Sequence, residues 1–382
     1  MNSENRKWLL PRPCVIAAAA LLVLSALMLA LSGLTHGGLY DQRAAEYWEN
    51  GNADSLRYSQ VSVFLGRGTG VGYEDLMRLR QGLAEKYVAD SISAADESSR
   101  LWIDAACATG GVTLSRGSVS VQTTVSGVIG DFFFFHPEKL MSGQYINPDE
   151  ASKDIVLLDW NTAWRLFGGY EIEGMGLYVG DIPCIVGGVF EKSPNDAEEN
   201  RVYVSFELLE RINPSVEFSV LEFVLPSPVS GYGLETVEGL LKLAENDRVT
   251  VENGTRFTRG ALLRLIGDFG SSVEQTKSIA LPYWENAARR AEAKAAVYLL
   301  LALVFAAFPA VMVITLLVKL YRRRGALAPW IKGAPQKLRE VKDKIDKRKN
   351  DKRDGGDLPA PDDFSSELVQ GDDGPGGGDD NA

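Results

Sequence analysis

The stretch DIVLLDWNTAWRLFGGYEIEGMGLYVGDIPCIVGGVF occupies residues 154–190 and decides the fold that we expect for this chain. It begins with an apolar run at 155–158, which predicts a short buried strand. Aromatic and apolar residues then recur at helical spacing as far as the glycine pair at 168–169, where we expect the helix to end. The remainder predicts a β-hairpin that turns at Gly180 and Asp181. A strand, a helix and a hairpin in close succession favour the α+β class.

The same mixture of strands and helices extends to both sides of this stretch. On the N-terminal side, apolar patterning predicts a helix at 73–89 and strands at 62–67, 101–106, 112–114 and 118–129. On the C-terminal side, it predicts strands at 202–204, 218–225 and 249–251 and helices at 206–212, 234–245 and 258–269. We therefore expect one α+β domain, without internal repeats, over residues 35–294.

Two apolar runs enclose this domain. CVIAAAALLVLSALMLALSGL (14–34) has 21 residues and AAVYLLLALVFAAFPAVMVITLLV (295–318) has 24. Since a helix rises about 1.5 Å per residue, each run can cross a hydrocarbon layer of about 30 Å. We expect transmembrane helices over both runs, with a kink at Pro309. A cleaved signal peptide is the alternative for the first run, which is longer than the usual apolar region of about 7–15 residues.

Charge gives the expected orientation. Residues 319–353 carry 14 Lys and Arg against 4 Asp and Glu, which by the positive-inside rule predicts a cytoplasmic location. We then expect a cytoplasmic N-terminus at 1–13 and an extracytoplasmic domain at 35–294, with both termini in the cytoplasm. The sequence 354–382, rich in Gly, Pro and Asp, predicts an acidic disordered tail.

The stalk that we expect between the membrane and the domain is made of helices. GLYDQRAAEYWEN (38–50) would continue the first span, and PYWENAARRAEAKAAVY (282–298) would lead into the second. Arg289, Arg290 and Lys294 lie just outside the second span, against the positive-inside rule, which a long translocated domain largely escapes.

The net charge excludes one class of function. The chain carries −11 in total; with +2 in residues 1–13, +10 in 319–353 and −9 in 354–382, residues 14–318 carry −14. Such an acidic domain argues against nucleic-acid binding. The basic segment 319–353 is expected to lie on anionic lipid headgroups, unless it serves only as the orientation signal.

GDFFFFHPEKLMSGQYI (130–146) and the opening stretch resemble the periplasmic core domain of MacB-type and FtsX-type ABC transporter permeases. The family pattern has a phenylalanine-rich entry, a strand, a small helix ending in LFG, and a glycine-flanked hairpin. The matching positions are Phe132 to Phe135, Leu140, Gly143, Ile155 to Leu158, Leu166 to Gly168, Gly174, Val179, Gly180 and Val186 to Val189. All of them are apolar strand residues or turn glycines, so the resemblance implies a fold and assigns no catalytic group.

The chain also departs from that family. Such permeases carry two further spans after the second, and this sequence contains none after Val318. It has no ATPase motif, since GRGTGVG (66–72) lacks the lysine and hydroxyl residue of a P-loop and is better interpreted as a turn.

The resemblance implies a membrane-anchored accessory or permease-like subunit that couples an ABC ATPase or full permease to the outer domain. The alternative is an adaptor without a transport role that binds or regulates a cell-envelope protein. Ala306, Ala307 and Ala310 would allow a partner helix to approach closely.

Residues for chemistry are scarce. We expect no catalytic, cofactor-binding or metal-binding residues and no enzymatic activity. Of the two histidines, His136 is interpreted as a turn residue before Pro137, with the phenylalanines divided between core and surface. The acidic segment 191–199 lacks the ligand spacing of an EF-hand and is interpreted as a solvated loop.

Two further patterns leave alternatives open. Cys107 and Cys184 both belong to the outer domain and would form either a disulfide or two buried apolar positions. The Asn253-Gly254-Thr255 sequon matters only in a eukaryotic secretory lumen.

Overall fold

The structure is a computed structural model that describes residues 12–51, 56–94, 99–147, 154–193, 196, 200–268 and 279–351. The chain divides into a unit of residues 1–310 and a second unit of 311–382. The expected tail at 354–382 and N-terminus at 1–11 lie outside the described residues, as do the side chains of 323–351.

The described elements alternate between helices and strands. The α-helices are α1 (Arg12–Leu34), α2 (Ala44–Gly51), α3 (Tyr73–Ala89), α4 (Phe132–Phe135), α5 (Trp160–Phe167), α6 (Phe206–Ile212), α7 (Tyr232–Leu241), α8 (Arg259–Gly267) and α9 (Tyr283–Asp351). The strands are β1 (Tyr58–Leu65), β2 (Ile103–Arg116), β3 (Val119–Gly130), β4 (Lys139–Gly143), β5 (Ile155–Asp159), β6 (Gly176–Val179), β7 (Ile182–Glu191), β8 (Arg201–Ser205), β9 (Val220–Pro226) and β10 (Arg248–Glu252). Short 3-10 helices lie at Tyr40–Gln42 and Asn253–Thr255.

One mixed sheet organises the domain. Its strand order is β10-β1-β9-β2-β3-β8-β5-β7-β4, and β6 pairs with β2 and β7. Two pairs, β3 with β8 and β5 with β7, are parallel, and the other described pairs are antiparallel. The predicted α+β class is therefore confirmed.

Both faces of this sheet are covered, because successive strand residues point to opposite faces. In β1, Val61, Val63 and Leu65 belong to the larger core, which also takes α3, α5, α6 and α7. Phe64 belongs to a second, aromatic core with α4 and Trp284. This sandwich explains why β1 is buried along its whole length instead of alternating with solvent.

Several predicted elements need correction. The strands predicted at 101–106 and 112–114 are one long strand, β2 at Ile103–Arg116, which pairs with β3 through a turn at Gly117 whose φ is +60°. The predicted extension of the first span as a continuous helix is wrong: α1 ends at Leu34, a turn and a 3-10 helix follow, and α2 is separate. The extension into the second span is confirmed, because α9 begins at Tyr283 and continues through Pro309.

Helices α1 and α9 pair along a seam of small residues. The Oγ atoms of Ser25 and Ser32 donate hydrogen bonds to the carbonyl oxygens of Ala302 and Ala295, each at 2.9 Å. On α1 the less exposed positions recur at intervals of four and three residues, at Cys14, Ala18, Leu21, Ser25, Met28 and Ser32. On α9 the same intervals connect buried or half-buried positions, at Ala288, Glu292, Ala295, Leu299, Ala302, Ala306 and Pro309. This is the spacing of a coiled-coil seam. The two hydrogen bonds join residue 25 to 302 and residue 32 to 295, so the helices run antiparallel.

Candidate functional site

The candidate site is a set of buried polar side chains where the segment after α1, the sheet and the start of α9 meet. The segment after α1 is held on β1 by one amide: the Ala44 N–H donates to Oε1 of Gln60 at 2.9 Å, and Nε2 of Gln60 donates to the Asp41 carbonyl at 2.7 Å. Gln60 is fully buried. The chain that leaves the apolar helix is thereby fixed to a central strand.

His136 lies at the centre of the first polar group. Its ring nitrogens contact two carboxylates, Nδ1 at 2.7 Å from Oδ1 of Asp41 and Nε2 with Glu222. Burial alone lowers the pKa of His136, but the charge of Glu222 and the hydrogen bond to Asp41 outweigh it and raise the pKa to about 10. The imidazole is therefore a buried cation at neutral pH.

The second carboxylate of this group is held in place from the other side. Ser62 donates its hydroxyl to Oε1 of Glu222 at 2.6 Å, and Nδ2 of Asn253 donates to Ser62 Oγ at 3.0 Å. Asn253 is buried, so the sequon at 253–255 presents its asparagine to the interior and not to a glycosylating enzyme. Burying the carboxylate of Glu222 without any partner would cost free energy of folding, and these hydrogen bonds offset that cost.

Arg256 is the centre of the second polar group. Its Nη1 and Nη2 atoms donate to the two carboxylate oxygens of Glu285 at 2.7 and 3.0 Å. Nε and Nη2 donate to Glu292 at 3.0 and 2.8 Å, and Nη1 also donates to Oε1 of Gln42 at 2.9 Å. All five N–H groups of the guanidinium are thus used. Burial lowers the pKa of Arg256, yet Glu292 and Glu285 raise it on balance, so its charge is permanent.

This second group joins the two segments of the stalk, residues 38–50 and 282–298. Gln42 belongs to the segment after α1, whereas Glu285 and Glu292 are on α9. Arg289 adds a hydrogen bond from its Nε to Glu285 at 2.8 Å, as its i,i+4 spacing predicts. Removing Glu285 would take a buried charged acceptor from both arginines and leave Arg256 with Glu292 alone, at a cost of about 1–3 kcal/mol.

Glu138 forms the third group. Its Oε1 accepts hydrogen bonds from the hydroxyls of Tyr203 and Tyr283, at 2.7 and 2.9 Å. Burial raises the pKa of Glu138, and the two hydroxyls only partly offset this. Tyr283 is the first residue of α9, and its hydroxyl thus joins this helix to the loop before β4.

Three consecutive residues of α9 therefore make three different contacts with the domain. Tyr283 donates to Glu138, the indole of Trp284 lies 4.0 Å from the His136 ring between centroids, and Glu285 pairs with Arg256. These contacts hold the first turn of α9 from three sides. The arrangement fixes buried charges and the position of the first turn of α9 on the domain.

His136 lies in the bend between α4 and Pro137, as predicted, but the burial and pairing of its side chain were not predicted. The residue is fully buried and pairs with carboxylates that lie 95 and 86 positions away in sequence. The division of the phenylalanines is confirmed, since Phe132 and Phe135 are buried and Phe134 is exposed. The chain has only two histidines, and this rarity is a signal in the sequence that could have singled out His136. Nothing in the sequence indicated Asp41 or Glu222.

The remaining candidates are placed as follows. Residues 66–72 form a turn with positive φ at Gly68 and Gly70, as expected. In the acidic segment, Asp196 corrects the expectation of a solvated loop: it is buried and accepts from Nε of Arg201 at 2.5 Å. Among the described residues, no three His, Cys, Asp or Glu side chains converge so that they could hold a metal ion.

Cys107 and Cys184 are both free thiols. Cys107 belongs to the aromatic core on one face of the sheet, and Cys184 belongs to the larger core on the other face. Burial raises the pKa of Cys107 to about 12 and that of Cys184 to about 11, so both are unreactive apolar positions.

Two helices in the described residues are long and apolar enough to cross a membrane, Arg12–Leu34 and the Tyr283–Arg322 part of α9. These helices flank a large folded domain that is built on one mixed sheet. The chain belongs to the family of the MacB-like periplasmic core domain, whose sequence model matches residues 15–249, more than half of the chain.

Known relatives match smaller parts. The macrolide export ATP-binding/permease protein MacB of Chromobacterium violaceum is 38% identical over 74 residues, which are 19% of this chain and 12% of that protein. The periplasmic region of MacB from Actinobacillus actinomycetemcomitans is 13% identical, with a TM-score of 0.39 over 57% of this chain and 94% of that one. The extracellular domain of the noncanonic ABC-type transporter YknZ from Gram-positive bacteria is also 13% identical, with a TM-score of 0.35 over 50% of this chain and 99% of that one.

Proposed function

We propose that the chain is a membrane-anchored, permease-like accessory subunit of an ABC-type transport system, and that it is not itself an enzyme. A partner ATPase or full permease would move the apolar helices, and the stalk would pass that motion to the outer domain. Both termini would lie in the cytoplasm, with residues 35–294 on the other side of the membrane. Family membership and the basic segment 319–353 support this proposal.

One observation carries the coupling role. Arg256 binds Gln42, Glu285 and Glu292 at once, so the segment after α1 and the start of α9 are tied to one side chain of the domain. A flexible tether would let the helices move without the domain. A buried ion network resists such independent motion, because separating its charges is costly.

The test is affinity purification of the tagged full chain from gently solubilised native membranes, with identification of the co-purifying chains. Recovery of an ABC ATPase or a four-span permease is expected. A repeat with Lys139→Gln, which breaks only the exposed ion pair with Glu191, should recover the same partner. Absence of any such partner from the wild-type sample would contradict the proposal.

An adaptor that binds a cell-envelope protein is the second candidate. It is favoured by Trp160 and Trp164, whose rings stack at 5.7 Å between centroids while remaining 42% and 54% exposed. Exposed aromatic pairs are typical of protein interaction sites. Loss of an envelope protein, but not of an ATPase, from the purified complex of Trp164→Ala would favour the adaptor. Val88→Ala is the control, because Val88 on α3 is an apolar residue that is 79% exposed, more than either tryptophan.

A further inference from the structure

A cleft of about 980 Å³ lies between the sheet and the beginning of α9. One wall is formed by the loop after β1, by Arg201 of β8 and by the segment before β9. The other wall is the face of α9 that carries Asn286, Arg289, Arg290 and Ala293. The cleft is thus separate from the interior side of α9, where Glu285 and Glu292 bind Arg256.

The charges around this cleft are predominantly positive. Its charged lining consists of four arginines, one aspartate and one glutamate, namely Arg67, Arg201, Arg289, Arg290, Asp196 and Glu217. This excess of two positive charges contrasts with the net −14 over residues 14–318, which follows from the total of −11 and the charges outside that range. A positive cleft in an acidic domain concentrates anions locally.

Two of these four arginines are available to bind an anion. Arg201 is neutralised by Asp196, and Arg289 donates to Glu285. Within the described ranges, neither Arg67 nor Arg290 has an ion-pair partner, and both side chains are exposed. Glu217 accepts a hydrogen bond from the Gly68 N–H at 3.0 Å, which holds the Arg67 loop against the cleft.

The position of the cleft relative to the apolar segment indicates the chemical class of its ligand. Ala293 lines the cleft, and the apolar run of α9 begins two residues later at Ala295. Arg289 and Arg290 are therefore within about two helical turns of the apolar run, where the phosphates of a bilayer begin. Guanidinium groups present a planar fork of donors that matches phosphate oxygens.

We propose that this cleft binds a phosphate group through Arg67 and Arg290, supplied either by an anionic lipid headgroup or by free inorganic phosphate. The site explains why basic residues stand on the side of the span where orientation rules do not call for them. It requires no partner subunit, so it stands whether or not the chain works with an ABC ATPase.

The experiment has two arms, both on the purified full chain. In the first, the protein is reconstituted in nanodiscs of equal phosphatidylglycerol and phosphatidylcholine. Native mass spectrometry then counts the lipids of each kind that stay bound when the protein is released from the nanodisc. In the second, inorganic phosphate is titrated into detergent-solubilised protein by calorimetry. Wild type is compared with Arg67→Gln, Arg290→Gln and Arg290→Lys, and with Lys294→Gln as the matched control. Lys294 is an exposed base on the same helix that does not line the cleft.

Each glutamine variant should weaken retention or affinity about tenfold, since one charge-assisted hydrogen bond is worth roughly that factor. Arg290→Lys should keep part of the binding, and Lys294→Gln should match wild type. Selective phosphatidylglycerol retention identifies the lipid as the source, and binding in the calorimeter alone identifies free phosphate. Equal retention of both lipids together with no heat from phosphate would overturn the proposal. So would a loss as large in Lys294→Gln as in the cleft variants.

Discussion

The guanidinium of Arg256 forms a two-point ion pair with the carboxylate of Glu285, and both side chains are buried. The two residues are 29 positions apart and belong to different parts of the molecule, the segment after β10 and the start of α9. Together with Gln42, this pair is where the segment after α1 and the start of α9 are joined to the domain.

Breaking this pair should destabilise the domain strongly. Glu285→Gln is expected to lower the free energy of unfolding by about 1–3 kcal/mol, because Arg256 and Arg289 both lose a buried charged acceptor and only Glu292 remains to compensate Arg256. Urea unfolding of the full chain in micelles, followed by tryptophan fluorescence, measures this. Lys139→Gln is the control: it breaks the exposed pair with Glu191 and should change stability by less than about 1 kcal/mol. Equal effects of the two changes would contradict the buried network.

The contribution of His136 should depend on pH. Its pKa in the folded protein is raised to about 10 from an ordinary 6.5. A raised pKa means that the stabilisation is fully present below about pH 6.5 and is lost as pH rises through about 10. The difference in melting temperature between wild type and His136→Gln should therefore be largest near pH 6 and shrink towards pH 10. A difference that does not change over this range would show that no charge is involved.

The cysteines should react as three separate thiols. Because Cys107 and Cys184 lie on opposite faces of the sheet, no disulfide joins them. Alkylation in denaturant without reductant, read by mass spectrometry, should modify all three cysteines of the chain. Modification of Cys14 alone, with the others reacting only after reduction, would contradict the fold.

The helix pair predicts a specific crosslink. Ser25→Cys with Ala302→Cys places two thiols where the serine now donates to the alanine carbonyl at 2.9 Å. Mild oxidation should join them within one chain, as seen by digestion and mass spectrometry. Leu24→Cys with Ala302→Cys is the control, since Leu24 is exposed on another face of α1. Similar crosslinking in both pairs would indicate that the helices do not hold one register.

A partner helix, if the proposed function is correct, should contact the outer face of α9. Ala307 is exposed there, whereas Ala302 is buried against α1. Ala307→Leu is expected to reduce recovery of the partner without changing membrane insertion, because a larger side chain prevents close approach. Ala302→Leu should instead loosen the α1–α9 pair. Unchanged recovery with Ala307→Leu would remove this face from the proposed interface.

Much of the fold follows from local patterns. The β5–α5 unit was predictable because Asp159 caps the helix by accepting from the Thr162 and Asn161 N–H groups, and Gly168 ends it with φ of +77°. The break after Leu34 was missed although Gly37 and Gly38 mark a turn there, and the bonds that fix the segment at 41–44 come from the distant residues Gln60, His136 and Arg256.

The candidate site was hidden for a different reason. No local sequence pattern marks Asp41, His136 or Glu222 as part of a site. The contacts that join them are between residues 86 or more positions apart. No site residues were predicted from local patterns, and the buried network became visible only in the folded protein.

By itself, the sequence determined the apolar helices, the class of the domain and its family, because length, periodicity and turn residues are local properties. The tertiary structure alone decided that both cores share one sheet, that the cysteines are separated by it, and that one arginine joins the segment after α1 and the start of α9 to the domain. These depend on which distant residues meet, and a buried charge finds its partner only when the chain has folded around it.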